Sequence, residues 1–257
     1  MGNNIKFFKK NVIDSDASFS FTSANTNLAS YLYDRDNSIQ LSSSGSNDST
    51  PEVWEITFAS TKTIDRVLVL NHNIKSGELK YWTGAAWASF TSAISWSGNS
   101  ATHNYYEVTQ VSTLKLQLTM NTTIVADAEK SVGQLIACEN IGEVEENPTE
   151  NSRPIIYERK KQFFTFNGGH VSIIFGEKYG YFFEFQSASD NDISLFRSLK
   201  DLNESFQVYP GGGVSNDEYF FRLQDIYLVN YTNEFSPSLR RGLFNIGQNI
   251  NLTLREV

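Results

Sequence analysis

The stretch "LKYWTGAAWASF", residues 79–90, places three large aromatic side chains around a Gly-Ala-Ala step. Tyr81 and Trp82 precede Gly84, and Trp87 follows it. Two strand-like arms around a glycine predict a β-hairpin, because its tight turn needs backbone angles that glycine adopts easily. An exposed platform on which sugar rings stack is the second interpretation, and the choice between the two bears on function.

The hairpin interpretation limits where the aromatic side chains can point. Successive residues of a strand face opposite sides, so Tyr81 and Trp82 cannot both join one core. Trp87 opens the returning strand and can face an aromatic residue across the turn. We therefore expect one tryptophan to pack in the core and the other to cover the sheet across the strands, in preference to a glycan platform.

Outward from the hairpin, the first half of the chain consists of short apolar runs separated by polar turns. "VWEITFAS" (53–60) alternates apolar and polar residues, and "TIDRVLVLNH" (63–72) contains an unbroken apolar run typical of a strand buried on both faces. "YYEVT", "TLKLQLTM" and "VGQLIACE" add further candidate strands. "SSSGSNDSTPE" (42–52) is small and polar, and we predict a loop long enough to carry a function. This spacing predicts a β-sandwich.

The second half predicts another β unit with one helix. "QFFTFNGGHVSIIFG" has two strand-like runs around Asn167-Gly168-Gly169, which is a strong hairpin signal. "SASDNDISLFRSLKDLNESF" is the only convincing helix: Ser189 or Asp190 can cap it, and apolar residues recur every three positions. "EYFFRLQDIYLVNYT" and "NIGQNINLTLREV" supply more strands. The apolar stripe of the helix comprises Ile193, Phe196, Leu199 and Leu202.

Charge and cysteine content exclude several classes of protein. The net charge is −8, and residues 1–152 hold 10 Lys and Arg against 17 Asp and Glu, so no clustered basic surface for nucleic acid is expected. The single cysteine, Cys138, lies in an apolar run and is predicted to be a buried thiol. No apolar run is long enough for a membrane span or a signal-peptide core, so we expect synthesis and folding in a cytoplasm.

The chain offers no recognisable catalytic motif. His72, His103 and His170 are dispersed, and none has a partner at metal-ligand spacing. A nucleophile elbow, a phosphate-binding loop and a dinucleotide fingerprint are missing from the sequence. We therefore expect a non-enzymatic protein.

The order of motifs in residues 25–142 resembles the discoidin-like, galactose-binding-type β-sandwich of coagulation-factor C-type domains and many carbohydrate-binding modules. The matching pieces are "LYDRDNS", "EVWEITF", "TIDRVLVL", "LKYWTGAAW", "TLKLQL" and "EKSVGQLIACE". The resemblance implies a jelly-roll sandwich in which "YWTGAAW" is the mid-domain hairpin and Trp87 is chiefly structural. Sugar binding in this family uses variable loops, so no glycan-binding residue transfers by motif.

The same resemblance implies a calcium site. Family members often bind calcium through an aspartate loop and a late glutamate, which would correspond to Asp34, Asp36 and Glu139. Arg35 stands where glycine is usual, and Ile39 stands where a threonine ligand would fall. From the residues alone, "YDRDNS" is better explained as a solvated turn in which an aspartate side chain bonds the backbone. No other cofactor is expected.

Residues 153–257 resemble the split-barrel proteins of bacteriophage tails, among them tail-tube and distal-tail proteins. "RPIIYERKKQFFTFNGG", a short helix, "FQVYPGGG" and a terminal "NINLTLREV" carry this resemblance. It implies a homo-oligomeric ring built through strand edges and the helix, within a phage or phage-derived tail tip or baseplate. The implied location is the virion tail, assembled in the host cytoplasm. Implied partners are other tail, baseplate or fibre proteins and a cell-surface glycan, with no membrane insertion.

These observations predict a mainly β chain with a β-sandwich (jelly roll) followed by a split β-barrel with one short helix. The predicted organisation is an N-terminal extension over 1–24, the sandwich over 25–142, an acidic linker over 143–155 and the assembly domain over 156–257. A structural tail-tip component that presents the sandwich outward is the leading hypothesis. A carbohydrate-binding adhesin that uses the sandwich is the alternative.

Overall fold

The computed structural model describes residues 4–36, 39–46, 48–145, 153–164, 170–202, 204–209, 227–231, 238–241 and 246–256. The chain is mainly β, as the sequence predicts. Within the described residues the strands are β1 Lys6–Lys9, β2 Ser18–Phe21, β3 Leu41–Ser46, β4 Glu52–His72, β5 Ile74–Trp82, β6 Trp87–Trp96, β7 Asn104–Thr123, β8 Glu129–Cys138, β9 Asn140–Glu143, β10 Arg153–Phe164, β11 His170–Ala188, β12 Phe206–Tyr209, β13 Tyr227–Tyr231, β14 Ser238–Arg241 and β15 Ile246–Glu256. A 3-10 helix covers Thr26–Leu32, and helix α1 covers Asp190–Asp201.

The chain divides into two compact units, and the sandwich unit is Lys10–Asn140. Its described strands form one antiparallel sheet of seven, in the order β3-β8-β4-β7-β5-β6, with β2 also paired to β4. Strand β7 pairs with both halves of β4, along residues 52–57 and again between residues 62 and 69. The other edge of β4 has two neighbours in turn: β2 pairs with residues 54–57, and β8 pairs with residues 66–72. The sheet therefore wraps around its interior in the manner of a sandwich.

Both halves of β4 contribute to one hydrophobic core. Trp54, Ile56 and Phe58 alternate with less buried residues, and they share this core with Val67 and Val69. The predicted alternation of 53–60 is thus confirmed. The unbroken apolar run at 67–70 is buried on both faces, also as predicted. Apolar burial of this kind is the main favourable contribution to folding.

The second unit comprises residues 1–9 and 141–257. Its described strands form a sheet of eight in the order β10-β11-β15-β13-β12-β1-β9, with β14 also paired to β15. The order shows no pairing between the outermost strands β10 and β9 among these residues, so barrel closure stays a prediction.

Helix α1 is confirmed, and its N-terminus is capped as the sequence suggests. The Ser189 side chain accepts a hydrogen bond from the Asp192 N–H, and the Asp192 carboxylate accepts one from the Ser189 N–H, which completes a capping box. Ile193, Phe196 and Leu199 are buried in the core of the unit.

Strands β10 and β11 form a long antiparallel hairpin, with Phe164 paired to His170 at its described end. The predicted turn at 167–169 lies outside the described residues, as does "PGGG" (210–213) from the resemblance to tail proteins. Strand β15 pairs with β11 only from residue 180 onward. In the part of the chain that the structure describes, residues 170–179 of β11 therefore pair with β10 alone.

The structure divides the chain differently from the predicted organisation. Residues 1–24 are not a separate extension, because β1 pairs with β12 in the second unit and β2 pairs with β4 in the sandwich. The predicted linker 143–155 shares Glu143 with β9 and its last residues with β10, and Val144 is fully buried. Residues 146–152 of that linker lie outside the described residues.

Strand β3 corrects the prediction that 42–52 is only a loop. Ser42 pairs with Ser131 of β8, and Ser46 pairs with Glu129 across an irregular register. The Ser43 hydroxyl accepts from the Lys130 N–H and donates to the Gly45 carbonyl oxygen. Hydroxyl groups thus satisfy backbone groups that regular pairing would otherwise use, which lets a serine-rich segment lie in a sheet.

Candidate functional site

A tryptophan pair lies on the outer face of the sandwich, at the hairpin that the sequence singles out. Trp82 of β5 pairs directly with Trp87 of β6, and their ring centroids are 5.3 Å apart in an edge-to-face arrangement. Both side chains are only partly buried. The Lys115 Nζ lies over the Trp82 ring, 5.7 Å from its centroid. The hairpin is confirmed, whereas the prediction that one tryptophan joins the core is wrong.

Tyr81 takes the core-facing position instead. Its ring packs against the buried Phe90 at 5.1 Å between centroids and borders the sandwich core. Because adjacent strand residues face opposite sides, Trp82 must face outward once Tyr81 faces inward. The pairing of Trp82 with Trp87 then places both indoles on the same outer face.

The hairpin is held rigid at its turn. The Thr83 N–H and hydroxyl both donate to the Ala86 carbonyl oxygen, at 3.0 and 2.9 Å. Gly84 has φ of 99°, a left-handed conformation that favours glycine. The Thr113 hydroxyl accepts from the Trp82 N–H and donates to the Trp82 carbonyl oxygen. The backbone that carries Trp82 is therefore fixed from both sides.

A row of hydrogen-bonding side chains lies beside the tryptophan pair. Lys80 pairs with Gln117 of β7, and Gln117 pairs with Glu55 of β4. These residues lie two positions from Trp82, Lys115 and Thr57 along their strands, so they share the same outer face. The Gln117 amide donates to the Glu55 carboxylate at 2.9 Å, and the Lys80 amine lies 2.5 Å from Glu78.

We call this surface the polar-aromatic face and define it by Trp82, Trp87, Lys80, Lys115, Gln117 and Glu55. Sequence reasoning found the tryptophans but missed the other members. The signal was present, since the alternation in "TLKLQLTM" places Lys115 and Gln117 on the polar side of the strand. What the sequence lacks is the register that brings them beside Trp82.

The polar side chains and backbone of segment 42–52, which we predicted to be a loop with a function, form hydrogen bonds with the rest of the sandwich. Glu52 is 4% exposed, and its carboxylate accepts from the Ser23 N–H, the Ser23 hydroxyl and the Trp54 indole N–H. The buried Lys130 ammonium donates to the Thr50 carbonyl oxygen at 3.0 Å. The Asp48 carboxylate accepts from the N–H and hydroxyl of Thr123. These bonds tie the segment to the sandwich.

His72 is a structural histidine within the sandwich. Its Nδ1 accepts from the Ile74 N–H, which leaves the proton on Nε2 to donate to the Asn104 side-chain oxygen at 2.6 Å. The Trp96 indole N–H donates to the same oxygen. Burial lowers the pKa of His72, although the Asn104 bond opposes this shift. Both ring nitrogens are therefore used within the fold.

Cys138 is fully buried, as predicted, and burial raises the pKa of its thiol. A neutral buried thiol is a poor nucleophile. His103 accepts the Asn71 N–H through Nδ1, so it too has a role in the fold.

The structure does not bring the predicted calcium ligands together. Asp34 and Asp36 are exposed, and the Asp34 carboxylate accepts from the Asp36 N–H at 2.8 Å in a local turn. Arg35 between them has φ of 72°. The described residues contain no group of three or more His, Cys, Asp or Glu side chains that could hold a metal, so Glu139 does not complete such a group. The local turn matches the alternative that the residues alone favour.

No protein-family model matches the chain, and no curated protein matches it. Solved structures similar to it include chitosan-binding module 1 of a chitosanase/glucanase from Paenibacillus sp. IK-5, at 12% identity and a TM-score of 0.39, covering 48% of this chain and 94% of that one. The family 32 carbohydrate-binding module of NanJ from Clostridium perfringens, in complex with galactose, matches at 13% identity and a TM-score of 0.42, covering 51% and 98%. A further module, CBM32-5 of CpGH89 from Clostridium perfringens, in complex with GalNAc-β-1,3-galactose, matches at 12% identity and a TM-score of 0.39, covering 49% and 98%.

Among the described residues, no helix has the length and apolar character needed to cross a membrane.

Proposed function

We propose that the chain is a non-enzymatic structural component of a phage or phage-derived tail tip or baseplate. In this proposal the unit of residues 1–9 and 141–257 assembles copies of the chain into a ring, and the sandwich is presented outward as a binding module. The protein would then work in the virion tail, beside other tail, baseplate or fibre proteins. The tail-protein resemblance of residues 153–257 is the origin of the proposal.

The observation that carries the assembly role is the distal half of the β10–β11 hairpin. Among the described residues, residues 170–179 pair with β10 alone, so within that part of the chain this segment is a two-stranded ribbon. An isolated two-stranded ribbon is at best marginally stable in water, and its outer edges leave backbone groups unpaired. Pairing with another copy would satisfy these groups, and such contacts close into a ring when they are heterologous.

The test is the oligomeric state of the full chain. We expect native mass spectrometry and negative-stain microscopy to show one closed oligomer, and a variant with residues 160–174 replaced by a short turn to be monomeric. Trp87→Ala, which lies in the other unit, serves as the matched control and should leave assembly unchanged. A full chain that stays monomeric at high concentration contradicts the proposal.

A carbohydrate-binding adhesin is the second candidate, and the polar-aromatic face favours it. Partly buried tryptophans beside a small set of ordered polar side chains are typical of sites that bind small molecules and sugars. A glycan array with the full chain tests this function. Absence of any glycan signal would count against it without affecting the assembly role.

A further inference from the structure

The position of the polar-aromatic face within the sandwich determines which kind of sugar ligand could use it. The inference rests on the carbohydrate-binding alternative above and gives it a site. The face lies on strands β4 to β7 and includes no residue of the serine-rich segment 42–52 that the sequence suggested. From β6 through β5 and β7 to β4 it crosses three strand spacings, or about 15 Å. A surface of that length fits several linked sugar rings rather than one.

The side chains of the face match the two chemical surfaces of a sugar ring. The indoles of Trp82 and Trp87 offer apolar surface to the C–H side of a pyranose. The Gln117 amide and the Glu55 carboxylate offer donor and acceptor atoms to hydroxyl groups. The hydrogen bond between Gln117 and Glu55 holds both side chains in place before a ligand arrives, which reduces the entropy lost on binding.

The charge of the sandwich unit favours neutral polysaccharides over acidic ones. The sandwich unit, residues 10–140, contains eight Lys and Arg against thirteen Asp and Glu, a formal balance of −5. On the face itself Lys80 is paired with Glu78, and Glu55 lies beside Gln117. With Lys115 counted, two lysines and two glutamates make the face formally neutral, so it offers a polyanionic chain no net positive charge, and the −5 balance of the sandwich unit opposes the approach of such a chain. A neutral chain does not meet this repulsion.

We propose that the sandwich binds a neutral polysaccharide across the polar-aromatic face, with sugar rings stacked on Trp82 and Trp87. The chain runs across the strands, so that its hydroxyl groups reach Lys80, Gln117 and Glu55 in turn. Lys115, whose ammonium contacts the Trp82 ring, donates to a hydroxyl of the same sugar. Segment 42–52 takes no part in this contact.

Affinity electrophoresis of the full chain tests the proposal. The gels contain galactomannan, xyloglucan or laminarin as neutral polysaccharides, with polygalacturonate as the acidic comparison. We expect at least one neutral polysaccharide to retard the protein. The double variant Trp82→Ala/Trp87→Ala should weaken that retardation more than about tenfold, because tryptophans at the centre of a contact commonly contribute ~2 kcal/mol or more.

A milder pair of variants keeps the test valid if removal of both tryptophans unfolds the sandwich. Gln117→Ala should weaken binding about threefold to tenfold, because one hydrogen bond contributes about 0.5–1.5 kcal/mol. Gln110→Ala changes an exposed glutamine on the same strand and should have no effect. Melting temperatures establish that each variant is folded.

Three outcomes overturn the proposal. The first is the absence of retardation by every neutral polysaccharide, and the second is retardation by polygalacturonate alone. The third is retardation that survives in the folded tryptophan and Gln117 variants. This third result would leave sugar binding by the sandwich intact and move it to another surface, so it separates failure of the face from failure of the carbohydrate-binding function.

Discussion

Phe7→Ala tests whether residues 1–9 belong to the second unit, together with residues 141–257. Phe7 is 0% exposed, and its ring meets Phe206 at 5.9 Å and Phe196 at 6.2 Å between centroids. Truncation removes these contacts and leaves a cavity, which typically costs about 3–5 kcal/mol. For a unit of this size the corresponding loss in Tm is roughly 10–20 °C.

Differential scanning calorimetry of the full chain, with hydrogen–deuterium exchange to assign each transition, measures the effect. We expect Phe7→Ala to lower the transition of the unit that contains α1 and to leave the sandwich transition in place. Phe21→Ala is the matched control, because this partly buried ring packs on Trp54 of the sandwich at 5.2 Å. If Phe7→Ala instead lowers only the sandwich transition, or neither, the assignment of residues 1–9 is refuted.

Further predictions concern a cap, a close contact and a titrating group. Ser189→Ala removes the side-chain cap of α1 and should cost about 1 kcal/mol in denaturant unfolding. Gly77→Ala places a Cβ 2.3 Å from the Thr119 carbonyl oxygen and should cost about 1–3 kcal/mol, whereas Gly45→Ala meets nothing within 4 Å and should cost less. Between the lowered folded-state pKa of His72 and its ordinary value of 6.5, the unfolded state binds more protons, so the free energy of unfolding falls as the pH drops through that window. His72→Gln should flatten this slope in calorimetry at a series of pH values, and an unchanged slope would contradict the assignment.

Local patterns predicted those parts of the fold that depend on near neighbours in sequence. The alternation at 53–60, the hairpin around Gly84 and the capped helix after Ser189 are all set by residues within a few positions of one another. In each case backbone preference and side-chain burial favour the same structure. Because backbone preference and side-chain burial agree in these segments, their structure can be predicted from the sequence.

Long-range pairing accounts for what the sequence did not reveal. Nothing in "KFFK" (6–9) indicates that its partner is Phe206–Tyr209, about two hundred residues away. Strand β3 carries serines where strands usually carry branched or aromatic residues, and its pairing with β8 and the bond from the Ser44 N–H to the Ser23 hydroxyl join it to distant parts of the sequence. The polar-aromatic face likewise depends on the register among β4, β5, β6 and β7, which no single segment encodes.

The sandwich unit, residues 10–140, lies in the sequence between the two segments of the second unit, and contacts at both of its ends explain how the two units can fold within one chain. In the second unit, the Ile5 carbonyl oxygen accepts from the Val144 N–H, and the Lys6 ammonium forms an ion pair with the Glu143 carboxylate. Strands β1 and β9 are therefore neighbours in the sheet.

The sandwich closes on itself at the same place in the sequence. The Asn11 side chain donates to the Leu135 carbonyl oxygen and accepts from the Ala137 N–H, so the two ends of residues 10–140 meet. Residues 10–140 form an insertion between β1 and β9 whose own ends are close together. The entropy lost when such an insertion is closed grows only slowly with its length, so a long insertion adds little cost to the pairing of β1 with β9. If the proposed function holds, the polar-aromatic face could vary in sequence without disturbing the pairing of β1 with β9.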